Sequence, residues 1–226
     1  MTSDVLAKLE AAGAAQNRKV YARHGVTNEM FGVSYAELGK LAKQIKTNHS
    51  LAEELWATNN HDAMVLATKI ADPAKLTAKQ AEAWAKTLGN YVIADAFAGL
   101  VARSPHACAK LEKWATSKDE WVSSAGWTIL CHAAMYDTSL PDGYFDPLIK
   151  TIESSIHARP NRTRHAMVMA LISIGIRNDA LQKKVVAAAR RIGRVHVDHG
   201  DTGCKTPNVE QYIARTLAHR AKKKSS

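Results

Sequence analysis

Apolar positions along this chain recur every three to four residues. Tyr35, Leu38, Leu41, Ala42 and Ile45 form one such stripe, the spacing of a helix face that packs on a core. Strict alternation of apolar and polar residues, the mark of a half-buried strand, is nearly absent, while Ala is abundant and Gly and Pro are sparse. The pattern predicts helices over 4–12, 15–24, 34–47, 50–58, 60–71, 77–88, 90–103, 105–116, 119–135, 144–157, 162–177, 179–193 and 208–222. Breakers separate them at Gly25, Asp72-Pro73, Ser104-Pro105, Pro141-Asp142-Gly143, Pro160 and Pro207. Ser34 with Glu37, Ser50 with Glu53, and Thr77 with Gln80 have capping-box spacing, which satisfies the free amides of a first turn.

Helices of this length with short links pair as antiparallel hairpins. Stacked hairpins of roughly 35–45 residues make a HEAT-type α-solenoid, a right-handed curved superhelix. The expected fold is therefore all-α, one helical-repeat domain over 1–226 with a short basic tail near 222–226. A globular helical bundle is the structural alternative.

Charge changes this picture. Arg159 to Ser226 carries 15 Lys/Arg against 4 Asp/Glu, whereas Met1 to Ala158 carries 16 against 17, within a total of +10. A basic block of this size attracts polyanions, and nucleic acid is the commonest of them. Within it, Arg159, Arg162, Arg164 and His165 open one helix, and Arg190, Arg191 and Arg194 end another, with His196, His199 and Lys205 following. Such groups suit consecutive phosphates, although cations near a helix C-terminus also complement its dipole. Arg18, Lys19 and Arg23 form a smaller second patch.

The remaining composition, 46% hydrophobic and 23% charged, is that of an ordinary folded domain. No apolar run has the length of a membrane span, and Met1–Glu10 has no apolar signal-peptide centre. Cys108, Cys131 and Cys204 are too few, and odd in number, for a disulfide framework, so a cytoplasmic protein with free thiols is expected. Cys108 and Cys131 fall in apolar helices and are assigned to the core, and Trp56, Trp84, Trp114, Trp121 and Trp127 are read as core or hairpin-packing residues. The loop His196–Cys204 contains five potential metal ligands, but their spacing matches no zinc pattern. It is read as a polar turn, with no metal. No GxxxxGK[ST], GxGxxG or HExxH pattern occurs, so neither a nucleotide cofactor nor a zinc-protease site is expected.

Asn90–Arg103 reads NYVIADAFAGLVAR. On a helix, Ile93, Phe97 and Leu100 make the apolar stripe, and Tyr91 and Asp95 lie together on the opposite side with Ala98, Ala102 and Gly99 nearby. A carboxylate and an aromatic thus stand over a surface of little bulk, where a sugar or backbone can approach. By geometry alone the plainer reading is preferred: a solvated Asp, with Tyr91 packed on a neighbour.

Three segments resemble the AlkD-like DNA alkylation-repair family of HEAT-like-repeat DNA glycosylases and their relatives. They are MFGVSYAELGKLAKQI at Met30–Ile45, NYVIADAFAGLVARSP at Asn90–Pro105, and KWATSKDEWVSSAGWTIL at Lys113–Leu130. The resemblance places Asp95 at the catalytic Asp position, and Tyr91 and Tyr21 at aromatics of the DNA cleft. It implies removal of cationic N3- and N7-alkylated purines from double-stranded DNA by a monomer, without a cofactor. A carboxylate near the sugar stabilises the positive charge that develops as the glycosidic bond breaks. This sequence also departs from the pattern. Asn90 and Met169 stand where tryptophans are expected, and Ser124 replaces a backbone-contacting Arg. These departures bear on excision more than on DNA binding. The alternatives are a non-catalytic DNA-binding protein on the same fold, or a helical-repeat scaffold for protein partners.

Overall fold

The computed structural model describes residues 2–224 and is helical throughout. Its elements are α1 (Thr2–Ala11), α2 (Ala15–Arg23), α3 (Tyr35–Ile45), α4 (His49–Ala57), α5 (His61–Ile70), α6 (Ala78–Ala85), α7 (Tyr91–Val101), α8 (Ala107–Ala115), α9 (Glu120–Tyr136), α10 (Phe145–Ser155), α11 (Asn161–Gly175), α12 (Asp179–Ile192) and α13 (Val209–Lys224). Short 3₁₀ turns at Asp142–Tyr144 and Ile156–Ala158 flank α10. Among the described residues there is no strand, only an isolated antiparallel bridge between Gly13 and Val33.

Small polar residues start these helices. Ser34, Asn48, Asn60, Thr77, Asn90, Asp119 and Asn178 each accept a hydrogen bond from an amide of the first turn. Each cap satisfies a donor that the helix itself leaves open. Ser50 is not such a cap: α4 begins earlier, Asn48 caps it, and Ser50 Oγ donates to Asn48 Oδ1. The expected basic tail is largely helical, because α13 runs through Lys224; residues 225–226 lie outside the described residues.

The chain divides into two compact units, the first comprising residues up to 113 with 200–202, the second 114–199 and 203 onward. In the first unit α5 is the central element. It packs against α3, α4 and α7, and every residue but Lys69 is buried. Trp56 and Trp84 stack with ring centroids 4.3 Å apart, and Phe97 of α7 lies 5.4 Å from Trp56. Trp56 Nε1 donates to Thr87 Oγ1 at 3.0 Å, which supplies the polar partner a buried indole needs. The ammonium of Lys110 is also buried, held by Glu82 at 2.5 Å and by the Ala78 carbonyl at 3.1 Å.

The segment between α2 and α3 has no regular structure, and α5 fixes it. Asp62, 0% exposed, accepts from the amides of Phe31, Gly32 and Val33 at 2.7, 2.9 and 2.9 Å. From the other side Asn17 and Arg18 donate to the Gly32 and Phe31 carbonyls, and Tyr21 Oη donates to the Val33 carbonyl at 2.6 Å. Gly32 is required here. Its φ is +80°, and a Cβ would lie 2.5 Å from the Ala14 carbonyl oxygen.

In the second unit the most extensive pairing is α9 against α11. Trp114 and Trp127 are fully buried. Gly126 lets α9 approach the end of α8, where a Cβ would fall 2.5 Å from the Ala115 amide nitrogen. Arg177 donates to the carbonyls of Ala134 and Leu140 at 3.0 and 2.8 Å, closing the C-terminal end of α9.

One core assignment needs correction. Cys108 is exposed, because the apolar face of α8 is carried by Leu111, Trp114 and Ala115 instead. Of the five tryptophans Trp121 alone is partly buried, in the first turn of α9, and the other four are buried. Among the described residues no helix is long and apolar enough to cross a membrane.

Asp62→Ala leaves three buried amides without their acceptor, so it should destabilise the protein by about 3–5 kcal/mol. Asp62→Asn keeps one acceptor oxygen and should cost less. Denaturant unfolding of the three proteins checks the order; a loss below about 1 kcal/mol for Asp62→Ala contradicts the bracing role.

Candidate functional site

The α7 sequence places Tyr91 one residue beyond its cap and Asp95 one turn later. Asn90 is buried and spends its side-chain oxygen on the Ile93 amide at 3.0 Å, so this position serves helix initiation. Asp95 is exposed on the face opposite buried Ile93, Phe97 and Leu100, as the helical spacing predicts.

Aromatic rings from other elements of the same unit gather at this face. His24, at the end of α2, shares a hydrogen bond with the Tyr91 hydroxyl through Nδ1. Tyr21 of α2 meets Tyr35 of α3 edge-on at 6.5 Å and His61 of α5 at 5.5 Å. The Tyr35 phenol is pushed up to about 12, chiefly by burial of its ionised form, then by the charges of Tyr21, Asp95, Asp62 and Tyr91. That electrostatic coupling links Asp95, Tyr91, Tyr21 and Tyr35 into one cluster. Burial also raises the Tyr21 phenol, with Asp62 adding to it, so both hydroxyls stay protonated as donors at neutral pH. His61 is buried, its pKa lowered by burial, and its Nε2 has no hydrogen-bond partner among the described residues. It supports the Tyr21 ring as a neutral group.

Tyr35 was read from the sequence as one member of an apolar stripe. Although desolvation dominates the shift of its phenol, the residue as a whole keeps 46% of its surface exposed, and Lys69 Nζ lies 5.6 Å from its ring centroid. Its position in the first turn of α3, before the buried Leu38, was the available signal. His24 and His61 were also missed, because neither has a local motif.

The six arginines expected to hold phosphates all lie in the second unit, and their surroundings differ. Arg159 donates through one nitrogen to the Ala115 carbonyl, the Ser117 carbonyl and Ser123 Oγ at 2.8, 3.0 and 2.7 Å, so it clamps the end of α8. Arg190 makes a two-pronged pair with Glu210, and Arg191 another with Glu153. Arg162 and Arg164 stand in the first turn of α11, each with Nε buried, and Arg164 reaches Asn161 Oδ1 at 3.5 Å. Arg194 is exposed just past α12. Ser124 is 2% exposed, so it presents nothing to solvent, and Met169 is partly buried on α11.

The loop after α12 is held by Asn161, which donates to the Asp198 carbonyl and accepts from its amide, both at 2.7 Å. The rings of His165 and His199 meet edge-on at 5.4 Å, and His199 shares a hydrogen bond with Thr206 Oγ1 at 3.1 Å. Among the described residues no group of three or more His, Cys, Asp or Glu converges as a metal site.

The family model for DNA alkylation repair enzymes matches residues 5–224. Two curated relatives are uncharacterised proteins: Lin0241 of Listeria innocua serovar 6a, 29% identical, and Lmo0209 of Listeria monocytogenes serovar 1/2a, 28% identical. Each alignment covers 92% of this chain and 93% of the relative. A solved structure superposes with a TM-score of 0.89 at 31% identity, over 96% of this chain and 94% of the other. It belongs to a family of proteins related to the HEAT-like repeat DNA glycosylases, with affinity for branched DNA structures. The all-helical HEAT-like fold expected from the sequence is thereby shown.

His165 has its pKa lowered to about 4 by burial, by the Arg162 charge and by His199. A depressed folded-state value means that protonation favours unfolding. The stability contributed by neutral His165 is complete above its ordinary value of 6.5 and is lost as pH falls from there towards about 4. Allowing for partial exposure, His165→Gln should remove roughly 2 kcal/mol of acid destabilisation in this window, measured as the difference between unfolding curves at pH 7 and pH 4. Parallel pH dependence in the two proteins would contradict it.

Proposed function

Since the chain belongs to the DNA alkylation repair enzyme family, we propose that it binds DNA through the backbone and hydrolyses the N-glycosidic bond of cationic N3- or N7-alkylated purines. The observation that supports this most is the exposed Asp95 carboxylate within the tyrosine cluster of Tyr21, Tyr35 and Tyr91. An alkylated purine is already cationic, so it needs little help to leave. The barrier lies in the positive charge left on the deoxyribose. A carboxylate near the sugar lowers the energy of that charge and orients a water for attack at the anomeric carbon. The protonated phenols of Tyr21 and Tyr35 supply flat surfaces beside it without adding a competing negative charge, and the Tyr35 hydroxyl adds a donor, that of Tyr21 being spent on the Val33 carbonyl.

Phosphate contacts fall to the basic second unit. Arg162, Arg164 and Arg194 take this role most directly. Arg190 and Arg191 exchange carboxylate partners for phosphates, at the expense of their pairs with Glu210 and Glu153. Arg159 remains engaged with α8 and contributes through its remaining donors. Binding of this kind releases counterions. With 6–10 phosphate contacts, affinity should fall ~10³–10⁵-fold between 50 and 200 mM salt. A flat salt response, measured by fluorescence anisotropy, contradicts DNA binding and favours a protein-interaction scaffold.

A second reading is DNA binding without excision. It is favoured by the structural neighbour's affinity for branched DNA and by the tryptophans here, four of which are buried core residues. Release of free methylated purines from methylated duplex DNA separates the two. The glycosylase reading predicts release that disappears in Asp95→Asn while affinity changes less than about threefold. Binding by the wild type without release sinks the glycosylase reading and leaves the second.

A further inference from the structure

The second unit contains a cleft of about 840 Å³ that lies apart from Asp95 along the chain and gathers several of the basic residues that follow α12. It forms where the end of α12, the pinned loop after it and the start of α13 meet. Its apolar lining includes Val168, Val195 and Val197, and its polar lining includes Arg194, His196 and Lys205. Neither Arg194 nor Lys205 has a hydrogen bond or ion pair among the described residues. Glu210, also at the cleft, is already neutralised by Arg190, with Nη2 at 2.6 Å and Nε at 3.1 Å from its oxygens.

The cleft therefore holds two uncompensated cations and an imidazole beside an apolar floor, with its one lining carboxylate satisfied internally. The volume falls in the range of small-molecule sites. We propose that this cleft binds a phosphate monoester on a nucleotide-sized body. The dianion would be met by Arg194 and Lys205, and the sugar or base would lie against the valines. A phosphodiester carries one charge and matches the pair less well. Such a group comes either from a free mononucleotide or from the 5′-phosphorylated end of a DNA strand. In the second case the site rests on the DNA-binding reading and adds recognition of strand ends.

The experiment uses the full chain and three probes: deoxyadenosine 5′-monophosphate, a short duplex with 5′-phosphate or 5′-hydroxyl ends, and a closed circular duplex without ends. Binding is followed by calorimetry and by chemical-shift perturbation of the Val195 and Val197 methyls. The proposal expects those methyls to shift on binding the nucleotide or the phosphorylated duplex. It also expects roughly tenfold tighter binding of at least one of these probes than of its unphosphorylated counterpart, deoxyadenosine for the nucleotide and the 5′-hydroxyl duplex for the phosphorylated one. That ratio should fall to about one in both Lys205→Ala and Arg194→Ala. Preference for the nucleotide alone identifies a free ligand, and preference for the phosphorylated duplex identifies strand ends. A ratio near one for both in the wild type overturns the proposal, as does a ratio that survives both substitutions. The circular duplex reports general DNA binding separately, so failure of the cleft and failure of the DNA-binding reading give different results.

Discussion

The buried carboxylate of Asp62 is the constraint on which the first unit depends. Three consecutive amides converge on it from a segment with no helix of its own, and that segment connects α2 to α3. Both helices supply tyrosines to the candidate site. A fully buried carboxylate is tolerable only when its lone pairs are satisfied, and here the backbone satisfies them. The same segment is gripped by Asn17, Arg18 and Tyr21, so the Tyr21 hydroxyl serves as an anchor while its ring faces Tyr35 and His61. Packing and site geometry are therefore coupled: loosening the Asp62 brace moves the aromatic groups beside Asp95.

Charge has two functions in the second unit. Arg159 and Arg177 act as structural clamps on the ends of α8 and α9, where helix carbonyls would otherwise lack donors. Arg190 and Arg191 tie α12 to Glu210 and Glu153 in exposed pairs, each of small energetic weight. Arg194 and Lys205 have no such partners and remain available to a ligand. Net charge alone does not distinguish these roles, because a cation that closes a helix and a cation that meets a phosphate count equally in a sequence sum.

The helical register was largely legible in the sequence. The caps at Ser34 and Thr77, the breakers at Pro73 and Pro160, and the opposite-face placement of Asp95 against Phe97 and Leu100 are local properties of the chain. The start of α4 was displaced because Asn48 outcompetes Ser50 as cap. Cys108 was misplaced because an apolar neighbourhood does not fix which face of a short helix is buried. The site was legible only where one helix carries it. Tyr91 and Asp95 share α7, but His24, Tyr35 and His61 reach the cluster through contacts between elements distant in sequence, and no spacing rule records those. The Asp62 brace was hidden for the same reason.

In the proposed glycosylase reaction Asp95 faces a deoxyribose and stabilises positive charge there. The most direct measurement compares affinity for two abasic duplexes, one with a cationic pyrrolidine in place of the sugar and one with the neutral tetrahydrofuran. The wild type should prefer the cationic duplex by at least about tenfold, and Asp95→Asn should lose the preference without losing affinity for the neutral duplex. Equal affinity of the wild type for the two, or a preference that persists in Asp95→Asn, would contradict it.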